Sequence, residues 1–285
     1  MILITGATGT VGREVVRLCA EKGAQVRALI RSPEKAAEIL GPSVELVRGD
    51  LKKPETLKCP LDNVDKIFLL TPSSPEQVEM EGNLIEAARR SGIGHLIKLS
   101  SLDAKPDSAV AMSRWHWQAE QKLQQSGIPF TLLRPHNFMQ NMLTFAPGIR
   151  SQGIFRAPMK NGRISMVDAR DVAAVAAAVL TQEDHQGEVH RITGPRRLSF
   201  QDAAEKLSAA LGRKVTYVDI PADVARRALL DAGTARWLAD DLIELYRFFG
   251  AGRSKLVTDT VEKVARKTPI SFDQFARDYA YAFLR

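Results

Sequence analysis

Gly6-Ala7-Thr8-Gly9-Thr10-Val11-Gly12 is the first stretch of this 285-residue chain whose residue types and spacing suit a definite chemistry. It directly follows the short apolar run at residues 2–5 and opens an amphipathic stretch, so a strand turns into a helix there. Glycine lets the backbone turn tightly and approach a diphosphate closely, and a helix start offers free amides and a positive dipole to that group. The spacing is GxxGxxG rather than GxGxxG, so the strand–turn–helix context carries the inference. Gly6, Thr8, Gly9, Thr10, Val11 and Gly12 are expected to hold the pyrophosphate of a dinucleotide.

The residues beyond the loop bear on which dinucleotide. A carboxylate about 20 residues further on would bind the ribose 2′-hydroxyl of NAD(H), and no acidic residue occurs between Lys22 and Glu34. The second apolar run ends instead in Leu29-Ile30-Arg31-Ser32. A guanidinium at Arg31 can bond two oxygens of a 2′-phosphate at once, so NADP(H) is expected in preference to NAD(H). Ligands of such folds lie across the carboxyl ends of the strands. Those ends add Asp50 and Leu51, Thr71 and Pro72, Ser100, and the stretch 134–138 with Arg134, Pro135, His136, Asn137 and Phe138. Asp50 suits an adenine amino group and reads equally as a turn residue.

To bring these ends together, strands and helices must alternate. The apolar runs at 2–5, 25–30, 44–47, 66–70, 95–100 and 130–133 lack in/out alternation, as strands buried on both faces do. Ser32-Pro33-Glu34 and Ser74-Pro75-Glu76-Gln77 each set a capping serine before a helix-opening proline, and Gly23, Gly92 and Gly127 close helices. The pattern implies an α/β fold, a Rossmann-like doubly wound parallel sheet. Beyond residue 135 the alternation is lost, and 136–166, with Pro147, Gly148, Gly153, Pro158 and Gly162, reads as loops with short strands. Asp168 caps an alanine-rich helix, 188–193 reads as a strand, and the chain turns helical from Gly194-Pro195. Ser199-x-x-Asp202 and Ser271-x-x-Gln274 are capping-box patterns, the second the closer match. The expected division is a dinucleotide-binding domain over 1–151, to which 164–194 returns, and a smaller, mostly helical substrate lobe over 195–285.

The formal charge is +7, yet no Lys/Arg run exceeds two residues and acidic residues are interspersed, which argues against nucleic acid as a partner. Cys19 and Cys59 form no CxxC pair, which argues against a disulfide framework or zinc site and fits reduced thiols in a cytoplasmic protein. No apolar run approaches membrane-spanning length, and the N-terminal segment lacks the basic start of a signal peptide. The four tyrosines are Tyr217, Tyr246, Tyr279 and Tyr281, so the first 216 residues offer no phenol for catalysis.

GATGTVG at 6–12, GDL at 49–51, the stretch 100–127, SGIPFTLLRPHNFMQN at 126–141, VDARDV at 167–172 and SFDQFA at 271–276 resemble the NmrA-like atypical short-chain dehydrogenase/reductases. Within that family the resemblance is to bacterial NADPH quinone oxidoreductases of the second type, triphenylmethane-dye reductases and azoreductases, and it spans essentially the whole chain. Ordinary short-chain dehydrogenases use a Tyr-x-x-x-Lys pair. Setting the family's helix on this sequence puts those positions at Met112 and His116, so neither residue is present. The resemblance therefore implies hydride transfer to a small electrophilic aromatic acceptor without that pair. His116 is the implied catalytic residue, contacting the nicotinamide ribose or moving a proton; the alternative is a helix histidine packed between Trp115 and Trp117. The acceptor would lie against His136, Asn137 and Phe138, with Met142 and Phe145 beside them. A second implied reading is a non-catalytic NADP(H)-sensing regulator with a protein partner; a homodimer is compatible with both.

Overall fold

The computed structural model describes residues 1–284, the side chain of Lys35 excepted. Its first half alternates β1 (Ile2–Ile4), α1 (Thr10–Glu21), β2 (Val26–Ile30), α2 (Pro33–Leu40), β3 (Glu45–Arg48), β4 (Lys66–Leu69), α3 (Gln77–Arg90), β5 (His95–Leu99), α4 (Ala111–Gln125) and β6 (Phe130–Pro135). A 3-10 helix over Met139–Phe145 then leads into α5 (Ala146–Gln152), β7 (Ile154–Ala157), α6 (Ala169–Thr181) and β8 (Val189–Ile192). The remainder holds α7 (Phe200–Leu211), β9 (Thr216–Asp219), α8 (Ala222–Asp231), α9 (Arg236–Gly250), α10 (Thr260–Ala265), α11 (Phe272–Asp278) and α12 (Ala280–Leu284).

Seven strands form one sheet in the order β3-β2-β1-β4-β5-β6-β8, every pair parallel. Successive side chains of a strand point to opposite faces, and here both faces are covered. Ile2, Ile4, Phe68, Ile97 and Leu133 meet the layer of α1 and α6, while Leu3, Ile67, Leu69, Leu96 and Leu132 meet that of α3 and α4. Both alternating sets are apolar, so the strands read as continuous apolar runs in the sequence.

The stretch expected as loops is largely helical between Met139 and Gln152. Pro147 lies in the first turn of α5, where its missing N–H is no loss, and Gly153 ends that helix at φ +67. The capping boxes also differ from expectation. Ser199 and Asp202 complete theirs, each side chain accepting from the other's main-chain N–H at 3.1 and 2.8 Å. Ser271 accepts from the Gln274 N–H at 3.2 Å, but the Gln274 side chain turns to Asp278, so that box is half made. Helix α3 opens at Gln77 rather than at Pro75; the Ser74 carbonyl accepts the Gln77 N–H in a preceding turn.

A second apolar core gathers Met139, Met142, Ile149, Phe155, Ile164, Phe200, Leu207, Phe249, Phe275 and Phe283. It is flanked by a small parallel sheet of β7 and β9. Helix α10 returns to α6 and places Val261 in the core beside α1. Among the described residues no helix is long and apolar enough to cross a membrane.

Candidate functional site

The turn between β1 and α1 separates two kinds of glycine. Gly6 has φ +59, and a Cβ there would stand 2.8 Å from the Leu70 carbonyl oxygen; at Gly12 it would stand 2.1 Å from the Gly6 carbonyl oxygen. The protein's own packing therefore requires both. Gly9 differs: its φ of −79 and ψ of 174 suit any residue. A Cβ there would meet only the Gly6 carbonyl oxygen, at 3.3 Å. Glycine at this position leaves the outer surface of the turn bare. Gly9 is also the N-cap of α1 and supplies no side-chain bond, and no acidic residue lies in the first turn. The amides of Thr10, Val11 and Gly12 are thus left for an anion. Thr8, Gly9 and Thr10 are exposed, whereas the Val11 side chain is in the core, so Val11 offers only its main chain.

At the far ends of β2 and β3 lies a cleft of about 790 Å³, whose charged lining is Arg31, Arg48, Lys53 and Lys58 with Asp50, Glu55 and Asp62. Arg31 and Arg48 are exposed. Asp50 fits the turn reading, its Oδ1 accepting the Lys52 N–H at 3.0 Å, and the residue also lines the cleft. The Leu51 carbonyl accepts from Asn83 Nδ2 at 2.8 Å. Arg48 was not among the sequence candidates, although its place just before Gly49-Asp50 marked a strand end.

Between the sheet and the α3/α4 layer runs a buried polar network. Lys98 and Glu81 are fully buried and paired, Nζ to Oε2, at 2.5 Å. Thr71 Oγ1 and Gln77 Nε2 donate to the other carboxylate oxygen at 2.6 and 3.1 Å. Gln77 Nε2 and Lys98 Nζ lie 3.1 and 3.3 Å from His116 Nδ1. Amide and ammonium nitrogens are donors only, so Nδ1 accepts and the ring proton sits on Nε2. Burial, then the Lys98 ammonium, holds this imidazole well below the usual histidine range, so it is neutral at physiological pH. The ring's Nδ1 faces this network, and of its two tryptophan neighbours Trp115 tilts against Trp237, with centroids 5.5 Å apart.

One helical turn beyond His116, Glu120 accepts from Ser100 Oγ at 2.5 Å and from Arg134 Nε at 2.9 Å, and Arg134 Nη2 closes the ion pair. The hydroxyls of Ser100 and Thr71 therefore donate to buried carboxylates, and the Ser100 main-chain N–H is taken by the Leu133 carbonyl at 2.7 Å. Pro72 is exposed beside Thr71, and Pro135 is buried, its carbonyl accepting the Leu102 N–H. Asp241 of α9 accepts the main-chain N–H groups of Ala111 and Met112 and so caps α4, the latter at 2.9 Å. Glu81, Lys98, Glu120 and Asp241 were all missed from sequence, and Arg134, named there as part of a strand end, is turned to Glu120. Lys98 alone carried a signal, a cation in the middle of an apolar strand.

His136 differs from expectation. It is 4% exposed, its Nδ1 accepts the Asn137 N–H at 2.6 Å, and its Nε2 is bonded to Ser254 Oγ. Its ring stacks on Phe249 with centroids 5.4 Å apart. Both nitrogens are taken, so the ring has no free polar atom for an acceptor and instead ties the end of β6 to the segment after α9. Asn137 and Phe138 are half-buried, and Asn137 Oδ1 accepts from Asn141 Nδ2 at 2.8 Å. Met142 is 1% exposed, and Phe145 lies 5.2 Å from Phe155 and 5.9 Å from Phe200, so the 3-10 helix turns both into the second core.

Burial, then Arg197, pushes the His136 imidazole down to about 4. As the pH falls below the ordinary 6.5, the unfolded chain takes the proton before the native ring does. The stabilisation is therefore whole above that pH and is lost on the way to about 4, by at most about 3 kcal/mol. His95, also buried and pushed to about 4, acts in the same direction. Urea unfolding midpoints should fall across this window; a flat profile would contradict the burial of both rings.

The seven-stranded parallel sheet covered by helices on both faces, with a glycine turn between β1 and α1, places the protein in the Rossmann-like α/β class. More narrowly, the chain belongs to the NmrA-like family, whose profile matches residues 1–276. It is 42% identical over 283 residues to the NAD(P)H azoreductase of Xenophilus azovorans, covering 99% of each chain. It is 30% identical over 263 residues to quinone oxidoreductase 2 of Escherichia coli strain K12, covering 91% of each. The crystal structure of an NADPH-dependent quinone oxidoreductase of Escherichia coli complexed with NADPH matches it with a TM-score of 0.90 at 27% identity, over 98% of this chain and 99% of that one.

Proposed function

We propose that the protein is an NADPH-dependent reductase of quinones or similar electrophilic aromatic molecules, azo and triphenylmethane dyes included. At the coarser level it is an NAD(P)H-dependent oxidoreductase, the class named for the relatives that match it nearly end to end. The observation that carries the reading is the β1–α1 turn, bare at Gly9 and uncapped, in a fold whose β2 ends at a cleft lined by arginines. The first amides of α1 hold the diphosphate, and Arg31, with Arg48 beside it, holds the 2′-phosphate. When bound, the nicotinamide supplies a hydride.

Acceptors of this class are electrophilic enough to take that hydride without a phenol to polarise them, and Met112 stands where the family's helix would carry one. Asn137 and Phe138 line the acceptor's place, and His136 fixes them through the Asn137 N–H. His116 offers a neutral N–H from α4.

Arg31→Ala should weaken NADPH binding about 10- to 100-fold, the worth of a charge-assisted bond pair, and leave NADH binding unchanged. Calorimetric titration of both cofactors checks it. NADH binding as tight as NADPH in the unsubstituted protein would refute the preference. Acceptor-dependent NADPH oxidation tests the activity itself.

A further inference from the structure

We propose that His116 is the proton donor to the reduced acceptor, and that Lys98 and Gln77 are positioning residues that fix its tautomer and resupply its proton. This rests on the reductase reading. The geometry behind it is a one-sided arrangement. Both groups at His116 Nδ1 are donors, from β5 and α3, at 3.3 and 3.1 Å. No protein group among the described residues bonds Nε2, and the half-buried ring does not seal that atom from solvent. The one proton of the neutral ring is therefore held on its open nitrogen.

A quinone that takes a hydride is left with negative charge on an oxygen and needs one proton more. The Nε2–H gives that proton to the oxygen. As this bond breaks, Nδ1 takes a proton from the Lys98 ammonium across 3.3 Å. The ring ends as the Nδ1–H tautomer, and Lys98 ends as an amine beside Glu81. A solvent proton at Nε2 and return of the Nδ1 proton to Lys98 restore the starting state. Per turnover the acceptor gains one hydride and one proton, and the dihydronicotinamide is the group oxidised. An imidazolium is not needed, which matters because burial and Lys98 keep this ring neutral. Gln77 and Glu81 on α3 and Lys98 on β5 are the polar groups that face it.

A cationic triphenylmethane dye provides the control. It becomes a neutral product on taking hydride alone, so it needs no proton donor. His116→Phe should lower kcat with a quinone at least about 100-fold, within the range general acids supply, and should lower dye reduction far less. NADPH affinity, measured by titration alongside, separates loss of the donor from loss of the cofactor. Independently of turnover, nitrogen NMR of the cofactor-free protein should show Nε2 protonated and Nδ1 unprotonated from about pH 6 to about pH 8, where a free histidine titrates. Gln77→Leu should blur that assignment and, if Lys98→Met does not fold, report the positioning role alone. Equal losses with quinone and dye, or a ring protonated on Nδ1, would overturn the donor role while the reductase reading stood. Absence of turnover with either acceptor in the unsubstituted protein would overturn the reading and the donor role with it.

Discussion

Lys98→Met is expected to destabilise the protein by about 3–5 kcal/mol, the cost of leaving one member of a buried ion pair alone. Lys98 sits in the middle of the sheet, opposite Leu69 on one side and Leu132 on the other. Its side chain and that of Glu81 are both 0% exposed. Methionine fills similar volume, so the loss is electrostatic rather than a cavity. Glu81 keeps only the Thr71 hydroxyl and the Gln77 amide as partners, too little for a carboxylate out of water. Lys98→Met combined with Glu81→Leu should recover much of the loss, because an apolar pair of similar size often replaces a buried ion pair without penalty. Urea unfolding of the single and double variants measures both. A single variant as stable as the parent would show that the pair is not shut off from water.

Gly9→Val should abolish NADPH binding at working concentrations, a loss of at least about 100-fold or ~2.7 kcal/mol, while the exchange of the N-cap residue costs no more than about 1 kcal/mol of stability. The backbone at Gly9 suits any residue, and a Cβ finds only one protein atom near, at 3.3 Å. The side chain would instead cover the amides at the start of α1. Gly12→Ala makes the contrast. Its Cβ would stand 2.1 Å from a backbone oxygen, so that variant should lose the fold along with the ligand. Thermal melts beside titrations separate the two cases. Unchanged affinity in Gly9→Val would remove the turn from the cofactor site.

The sheet was legible because each strand carries apolar residues on both faces, as Leu3 between Ile2 and Ile4 shows. The glycine turn into α1 was legible because it follows such a strand directly. Residues 139–152 were misread because Pro147 and Gly148 look like breakers. Pro147 instead opens α5, and Gly148 lies in that helix where a Cβ would stand 2.8 Å from the Ile154 carbonyl oxygen. The interior network was the least legible. Glu81 and Glu120 each suit a solvated helix face, and only the packing of α3 and α4 on the sheet pairs Glu81 with Lys98 and Glu120 with Ser100 and Arg134. His136 was misplaced for a related reason: Ser254, which takes its Nε2, lies 118 residues further along the chain.

In the function proposed above, this fold holds NADPH in order to reduce an activated aromatic acceptor. Acceptor-dependent oxidation of NADPH by the purified protein, followed across quinones, azo dyes and triphenylmethane dyes, is the decisive assay. Turnover with at least one of these acceptors, faster with NADPH than with NADH and reduced in Arg31→Ala, is the predicted result. Tight NADPH binding with no turnover of any of the three would contradict it and point to a protein that senses the cofactor without consuming it.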